Sequence, residues 1–544
     1  MSGTEAGKRL SSWKAIARHI RRSERTARRW EAEEGMPVHR HMHLSLASVF
    51  AYPAELDAWM ARRAAVDGAS GEQDVPVARH ESASIAVLPF DFIGQDSGDA
   101  YIADGFTDEI IADLAKISSL RVISRTSSMQ LKAKGLSIGD IAARLDVCYL
   151  LEGSVRRHCG EIRASAQLIE ADRERRVWSE KFAGTVSEVF DIQARIAREA
   201  AAAMKLRLTA EDESRLAHRG ISEWPAWLAA LQARQASLRW TRDGIDEAIG
   251  LLEDALTKAG DEAQLHAVLG KTHLHCREAG LDLSERPLVE ARRCAERAFA
   301  ADPDGAHGHE LQGWLHYSQG EIQSAVENLK SAYARQGSNP DTLGLLCYCY
   351  LISGQVSVAR ALMPQVLAMD PLTQAYQALP AWADVLEGRH RDAVSVYRRL
   401  LDREPQSPLL RLFLVWILSI NGLTDEVQST VDGYADSDRD SLSAKVARCF
   451  AAACRGSRPQ IELSVTDRAF ANANDLYPRM LAQAHALAGE PAPAIEWLTL
   501  AVSRGFINYP YLSTHDPLLT RLQEEASYRD LLQVVHRRWV DFVV

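Results

Sequence analysis

The 544-residue sequence predicts a multidomain, mostly α chain: a small helical head with a β-hairpin, a middle α/β unit on a mixed sheet, and a long C-terminal α-solenoid. Three patterns predict it. From Ala291 to Tyr434 the chain repeats itself every 34 residues. Between residues 83 and 208 short apolar runs alternate with segments of helical period. Ahead of both lie two short amphipathic helices and two β-prone runs. A chain this long exceeds one hydrophobic core, so three or more units are expected.

The bulk chemistry narrows the function classes. A hydrophobic content of 47% and a charged content of 25% are those of an ordinary soluble protein. The net charge of −10 excludes a uniformly basic nucleic-acid binder, yet residues 1–63 hold 12 Lys and Arg against 7 Asp and Glu. A basic head on an acidic body permits local contact with nucleic acid. The eight cysteines form no CxxC pair and no metal-ligand spacing, so reduced thiols, no metal and no cofactor are expected. Residues 1–9 contain no apolar signal stretch. The longest apolar run, near 412–420, is far short of the ~20 residues a membrane helix needs, so no membrane span and a cytoplasmic location are expected.

In the head, residues 1–63, Ser12 is the predicted N-cap of a helix whose apolar face is Trp13, Ile16, Ala17 and Ile20. Ser23 opens a second helix to about Glu33, with Ala27 and Trp30 inward and Arg25, Arg28 and Arg29 largely outside that stripe. An arginine fork suits both phosphates and guanine edges, and a short basic helix after a tight turn is the layout of a groove-entering helix. Val38 to His43 and Ser48 to Tyr52 predict a hairpin, and Pro53 opens a third helix through Leu56, Trp59 and Met60. His39, His41 and His43 alternate along the first strand without a cysteine or carboxylate nearby in sequence, and no metal site is expected there.

The runs Trp13-Lys14-x-Ile16-Ala17, Ser23-x-Arg25-Thr26-x-x-Arg29-Trp30-Glu31, Gly35-x-Pro37-Val38-His39-Arg40 and Val49-x-Ala51-Tyr52-x-x-Glu55-Leu56-x-Ala58-Trp59 resemble the MerR/excisionase-like winged helix-turn-helix family. The resemblance implies that the second helix and the wing contact DNA, through Ser23, Arg25, Arg28 and Arg29, with Arg40 in the wing. Arg21 stands where the family has a turn glycine, and the wing tip Leu44-Ser45-Leu46-Ala47 has neither glycine nor basic residues. Residues 64–82 mix Ala, Gly, Ser, Asp and Glu without apolar period and read as a flexible tether.

The middle unit, 83–208, reads β-α-β-α-β-β-β-α: a strand at Ser84 to Phe90, a helix over 101–116, a strand at 120–124, a helix over 138–145 capped by Ser137, a hairpin turning at Cys159-Gly160, a strand at 177–182 and a helix over 186–208. Its motifs are Ile85-Ala86-Val87-Leu88-Pro89-Phe90, Ala103-Asp104-Gly105-Phe106-Thr107-Asp108-Glu109-Ile110, Arg121-Val122-Ile123-Ser124-Arg125-Thr126-Ser127 and Leu151-Glu152-Gly153-Ser154-Val155-Arg156-Arg157. With Ala166-Gln167-Leu168-Ile169 and Trp178-Ser179-Glu180, they resemble the TolB-N-terminal-like domain. That resemblance implies no catalytic residues, and Asp104, Arg125, Glu152 and Arg156 read as structural pairs. Gly135-Leu136-Ser137-Ile138-Gly139 fits a hydrolase elbow by letters alone, because Lys132-Ala133-Lys134 makes a poor buried strand before it.

In residues 209–544, Gly320, Gly354, Gly388 and Gly422 recur at 34-residue intervals, as do Ala291, Ala325, Ala359, Ala393 and Val427. Ala295, Leu329, Met363, Tyr397 and Val431 keep the same interval, and Pro303, Pro371 and Pro405 close their repeats. This resembles the tetratricopeptide (TPR) repeat, in some seven to nine copies, with Asp516 to Trp539 as a capping segment. The resemblance implies a concave groove that takes a protein or peptide.

The functional expectation is a DNA-binding transcription regulator whose TPR array binds a protein or peptide partner, acting as a homodimer on two half-sites. The alternative is a TPR interaction scaffold that does not bind DNA. No enzyme is expected: Leu269-Gly270-Lys271-Thr272 lacks the earlier glycine of a phosphate loop, and His309-Glu310 lacks the second histidine of a zinc protease.

Overall fold

The computed structural model describes residues 10, 12–20, 31, 36–41, 48–53, 55, 56, 59, 83–94, 100–132, 135–158, 160–217, 221, 223–237, 239 and 241–544. The chain divides into two compact units, residues 1–81 and 82–544.

In the first unit, α1 (Trp13–His19) starts at Ser12, whose side chain accepts a hydrogen bond from the Ala15 amide at 3.2 Å. Strands β1 (His39–His41) and β2 (Ser48–Phe50) pair antiparallel, with Arg40 opposite Val49. Ile16, Ala17, Ile20, Met36, Ala51, Leu56 and Trp59 form its core. The predicted tether, 64–82, lies outside the described residues.

The second unit opens with a six-stranded mixed sheet: β3 (Ala83–Val87), β4 (Asp91–Phe92), β5 (Leu120–Val122), β6 (Tyr149–His158), β7 (Glu161–Glu170) and β8 (Arg175–Thr185). The order is β5-β3-β6-β7-β8, with β4 also on β6; β3 runs parallel to β5 and β6, and β6, β7 and β8 form an antiparallel meander. Helices α2 (Ala100–Ala115) and α5 (Val189–Ala203) bury Phe106, Ile110, Val189 and Ile196 on one face with Leu151 and Leu168. Helices α3 (Arg125–Lys132) and α4 (Ile138–Leu145) bury Leu131, Ile141 and Leu145 on the other with Ala86 and Leu150. Adjacent Leu150 and Leu151 thus serve opposite faces, as the strand period requires.

Helix α3 was not expected from the sequence, and α5 is shorter than the expected 186–208 because residues 186–188 form a 3₁₀ turn and Met204 ends the helix. Ser137 is a helix cap: its Oγ accepts from the Asp140 amide at 3.2 Å. Lys132, ahead of it, ends a helix and not a strand, so the hydrolase elbow has no scaffold.

After the short helix α6 (Ala210–Ala217) the chain becomes a stack of helix pairs, eight among the described residues. The first four pairs are α7 (Trp224–Ser237) with α8 (Arg242–Ala259), α9 (Ala263–Glu278) with α10 (Arg286–Ala301), α11 (Ala306–Gln319) with α12 (Ile322–Arg335), and α13 (Pro340–Ile352) with α14 (Val356–Met369). The last four are α15 (Gln374–Leu386) with α16 (His390–Arg403), α17 (Pro408–Ile420) with α18 (Thr424–Asp432), α19 (Leu442–Cys454) with α20 (Val465–Asn472), and α21 (Leu476–Leu487) with α22 (Pro491–Ser503). Gly320, Gly354, Gly388 and Gly422 turn between the helices of a pair at φ of 78°, 81°, 84° and 68°, a region that penalises any side chain. Ala291, Ala325, Ala359 and Ala393 are fully buried where the second helices approach their neighbours. The chain ends in a 3₁₀ segment, Pro517–Leu522, and helix α23 (Ala526–Val540).

Middle sheet and array share one body. The Trp227 indole donates to Glu109 at 3.0 Å, and Ser118 N donates to Asp212 at 3.1 Å. Farther along, Ser124 N donates to Met369 O at 2.7 Å, Ser127 Oγ donates to Asp370 at 2.6 Å, and Arg121 donates to Ala368 O at 2.9 Å. The loop after α14 is therefore bolted to α3 across 243 residues of sequence.

Candidate functional site

Three regions carry candidate chemistry. In the first unit, Ser23, Arg25, Arg28 and Arg29 lie outside the described residues, and of Arg40 only the backbone in β1 is described. What the structure shows is the scaffold nearby: His39, in β1, contacts Glu55 at 2.6 Å and stacks on Phe50. His39 is thereby engaged by a carboxylate and a ring.

On the middle sheet a cleft of about 420 Å³ is lined by Asp91, Lys132, Glu152, Ser154, Gln167 and Ser179, among others. Its polar groups satisfy one another. Lys132 meets Asp91 at 2.6 Å, Gln167 donates to Glu152, and Ser154 and Ser165 share a hydrogen bond of 2.8 Å. Arg125 pairs with Asp108 at 2.7 Å and with Asp104 at 3.3 Å at the joint with α7, where Arg234 also reaches Asp108. Burial pushes the Glu109 carboxyl up to about 7, against the hydrogen bond from Trp227. Arg125, Asp108, Arg234, Glu109 and Trp227 build the joint between sheet and array.

The third region is the inner face of the array, where the first helices of successive pairs stack. Trp314, Tyr348, Trp382, Trp416 and Phe450 follow one another at 34-residue intervals on α11, α13, α15, α17 and α19. The 34-residue period carries this aromatic ladder too, on the first helix of each pair, whereas the sequence pattern was read from the turn glycines, the small and bulky apolar residues of the second helices and the closing prolines. Tyr317 bridges the first two rungs: ring centroids lie 6.4 Å apart for Trp314 and Tyr317, 5.7 Å for Tyr317 and Tyr348, and 4.9 Å for Tyr348 and Trp382.

The array curls far enough that its inner side chains meet across the middle. Tyr348 donates to both oxygens of Asp475, at the start of α21, at 3.1 Å, and the Trp416 indole donates to Gln483 at 2.9 Å. At the rim Gly280 lies against Phe470, and a Cβ built on Gly320 would come within 2.8 Å of Ser503 O. Residues 503–515 run along the row of pair turns. Ile507 N donates to Ile352 O at 2.9 Å, Asn508 donates to Leu351 O at 2.9 Å, and His515 faces Gly388.

The ladder accordingly has two halves. At Trp416 and Phe450 it is sealed: both are fully buried with Phe506, Tyr511, Leu512, Leu518 and Leu519 of the tail. Gln483 links Tyr511 at 3.0 Å and Asp516 at 2.6 Å, and burial pushes the Asp516 carboxyl up to about 6. At Trp314, Tyr317 and Tyr348 the rings are half-buried and Glu278 is exposed. Burial pushes the Glu278 carboxyl up to about 7.

Other sequence-level candidates resolve structurally. Leu269-Gly270-Lys271-Thr272 lies inside α9, whose amides are engaged in the helix, and Lys271 pairs with Glu310 at 2.6 Å. Among the described residues no helix is long and apolar enough to cross a membrane, and no group of three or more His, Cys, Asp or Glu side chains is placed to hold a metal.

Comparison with known proteins adds identity to these parts. A family model of the second domain of HilA/YgeH-like transcriptional regulators matches residues 81–199. Two tetratricopeptide-repeat models match residues 290–340 and 316–383. A curated relative, putative adenylate cyclase 3 of Rhizobium meliloti (strain 1021), is 38% identical over 186 residues, 34% of this chain and 32% of the relative. The chain thus spans about a third of the length of that relative. Among solved structures, a tetratricopeptide repeat protein from Parabacteroides merdae covers 51% of this chain and 99% of its own at 12% identity and a TM-score of 0.32. A thermophilic TPR protein of Thermus thermophilus covers 35% of this chain and 98% of its own at 20% identity and a TM-score of 0.29.

The relative corrects one expectation. A chain with no recognised catalytic motif was expected to be no enzyme, but the matching relative is named as one, so that expectation does not stand. The chain contains a HilA/YgeH-like regulator domain and TPR repeats in a mostly helical, multidomain architecture.

Proposed function

We propose that this chain is a transcription regulator whose head contacts double-stranded DNA through Ser23, Arg25, Arg28, Arg29 and Arg40, and whose array holds a protein or peptide partner. The observation that carries the reading is the order of parts: a head with an excess of positive charge precedes residues 81–199, which match a domain of transcriptional regulators. The repeats behind them supply an inner face of the kind that holds extended segments. The finer resemblances, a MerR/excisionase-like winged helix-turn-helix in 1–63 and a TolB-N-terminal-like domain in 83–208, belong to this reading, as do a tether at 64–82, a repeat array over 209–544 and a cytoplasmic location. One head of this size offers less than the roughly 1,000 Å² of a specific DNA interface, so two copies of the chain bind two half-sites.

A gel shift of the full chain on the DNA upstream of its own gene tests the reading. The expected result is a salt-sensitive shift that weakens at least tenfold in the double variant Arg28→Ala, Arg29→Ala. No shift at low salt, or one indifferent to the double substitution, rejects DNA contact. Arg21 at the turn position favours a second reading, an interaction scaffold, because a side chain at a left-handed turn costs about 1 kcal/mol. A chain lacking residues 1–63 that leaves gene expression unchanged and partner capture intact would select it.

A further inference from the structure

The seventh helix pair departs from the repeat. In pairs three to six the second helix begins two residues after the turn glycine, at Ile322, Val356, His390 and Thr424, whereas α20 begins at Val465, nine residues after Gly456. It is eight residues long, against fourteen in α12, α14 and α16. Between this short helix and α22 lies a recess of about 270 Å³, lined by Arg468, Asn472, Glu496, Trp497 and Leu500. Sites for drug-sized ligands run from roughly 300 to 1,000 Å³, so the recess suits a smaller one. It lies on second helices, whereas the aromatic ladder is carried by the first.

The anchoring of the two helices turns these side chains toward the recess. Phe470 packs into the array core, its ring 5.8 Å from that of Tyr477. Two residues either way along a helix is the opposite side, so Arg468 and Asn472 stand together across α20 from Phe470. On α22, Ala494, Leu498 and Ala501 are fully buried, which leaves Glu496 and Leu500 on its outer side with Trp497 at the border.

Two opposite charges thus line one recess without meeting. Among the described residues the Arg468 guanidinium and the Glu496 carboxylate make no ion pair or hydrogen bond, with each other or elsewhere, and the Asn472 amide is equally free. In the cleft on the middle sheet, by contrast, Lys132 and Asp91 close on each other at 2.6 Å. Arg468, Asn472 and Glu496 are all exposed, so a solute reaches them. A ligand with one charge is drawn by one of the two ionic groups and repelled by the other, while a zwitterion satisfies both. A guanidinium with a side-chain amide suits a carboxylate, and a carboxylate beside an indole suits an ammonium.

We propose that the recess between α20 and α22 binds a free α-amino acid, with its carboxylate on Arg468 and Asn472, its ammonium between Glu496 and the Trp497 ring, and its side chain along Leu500. The site is independent of DNA contact by the head and of partner binding on the inner face.

The test is saturation-transfer NMR of the full chain with each protein amino acid, followed by titration of those that bind. At least one should bind, and its methyl ester and N-acetyl forms should each lose about tenfold or more in affinity. Arg468→Gln should weaken the amino acid by about tenfold or more and leave its ester no weaker, and Glu496→Gln should do the same to the amino acid and leave its acetylated form no weaker. Both substitutions fall on exposed residues and should leave thermal melting unchanged. Saturation transfer to no amino acid overturns the proposal. Binding indifferent to either substitution overturns it too, and so does an ester or acetylated form that binds as tightly as its parent.

Discussion

The sealed and open halves of the ladder are built from the same repeat and end differently. Trp416 and Phe450 are core residues, fully buried in one cluster with the chain's own tail, whereas Trp314 and Tyr348, at equivalent repeat positions, remain half-buried. The repeat sets where a ring is placed, and whatever lies across the inner face sets how deeply the ring is buried. In the sealed half the covering segment is Phe506 to Leu522, which commits its own apolar side chains to the interior.

That contrast can be broken most directly by ending the chain after Ser503. Loss of Phe506, Tyr511, Leu512, Leu518, Leu519, Tyr528 and Val535 should unseal Trp416 and Phe450, lower Tm by more than about 10 °C and raise binding of a hydrophobic dye. A truncated chain that melts like the full one would show the tail to be a loose cover, and the two halves to be alike. Next in size is Arg479→Ala, which removes the cation between Trp416 and Phe506 and leaves Asp475 without its neighbouring charge. A loss of about 3 kcal/mol is expected in denaturant titration, while Arg479→Met, which keeps the volume, should cost about 1 kcal/mol or less.

The open half is anchored through the joint with the sheet, and pH probes that anchor. The Glu109 carboxyl titrates at about 7 in the folded chain against 4.5 as its ordinary value, so the folded state holds the proton more tightly. Its contribution is complete below pH 4.5 and is lost as pH rises through about 7. Unfolding followed from pH 4.5 to 8 should show a decline on the order of 2 kcal/mol that Glu109→Gln abolishes. Ser127→Ala, which strips the hydroxyl shared by Asp370 and the Leu372 amide, should cost about 1–2 kcal/mol.

What could be read from the sequence follows from how local each cause is. The glycines of the pair turns were legible because a left-handed φ leaves a strict mark at a fixed interval. Ser137 was legible as a cap because its bond to the Asp140 amide spans three residues. Helix α3 was not: Arg125-Thr126-Ser127-Ser128-Met129 is a weak helix former, and its anchor, Asp370, comes 243 residues later. The tail's seat along the pair turns was equally hidden, since its capping role could be read from apolar residues but its partners, Ile352 and Leu351, could not. The aromatic ladder lay within reach of the same period, but its rings leave no mark on the backbone and stand out only once the stacked helices bring them into line.

One contact at the rim constrains how this molecule evolves. Most stacked-repeat proteins lengthen or shorten by whole units, since each unit touches only its neighbours. Here Gly280, in the second pair, abuts Phe470, in the seventh, and Val543 exchanges hydrogen bonds with Gln323 in the third. Inserting or losing one unit between them would draw these contacts apart. The number of pairs between these contacts is therefore fixed by them, and divergence that keeps them proceeds by substitution on the rungs rather than by duplication of the units that carry them.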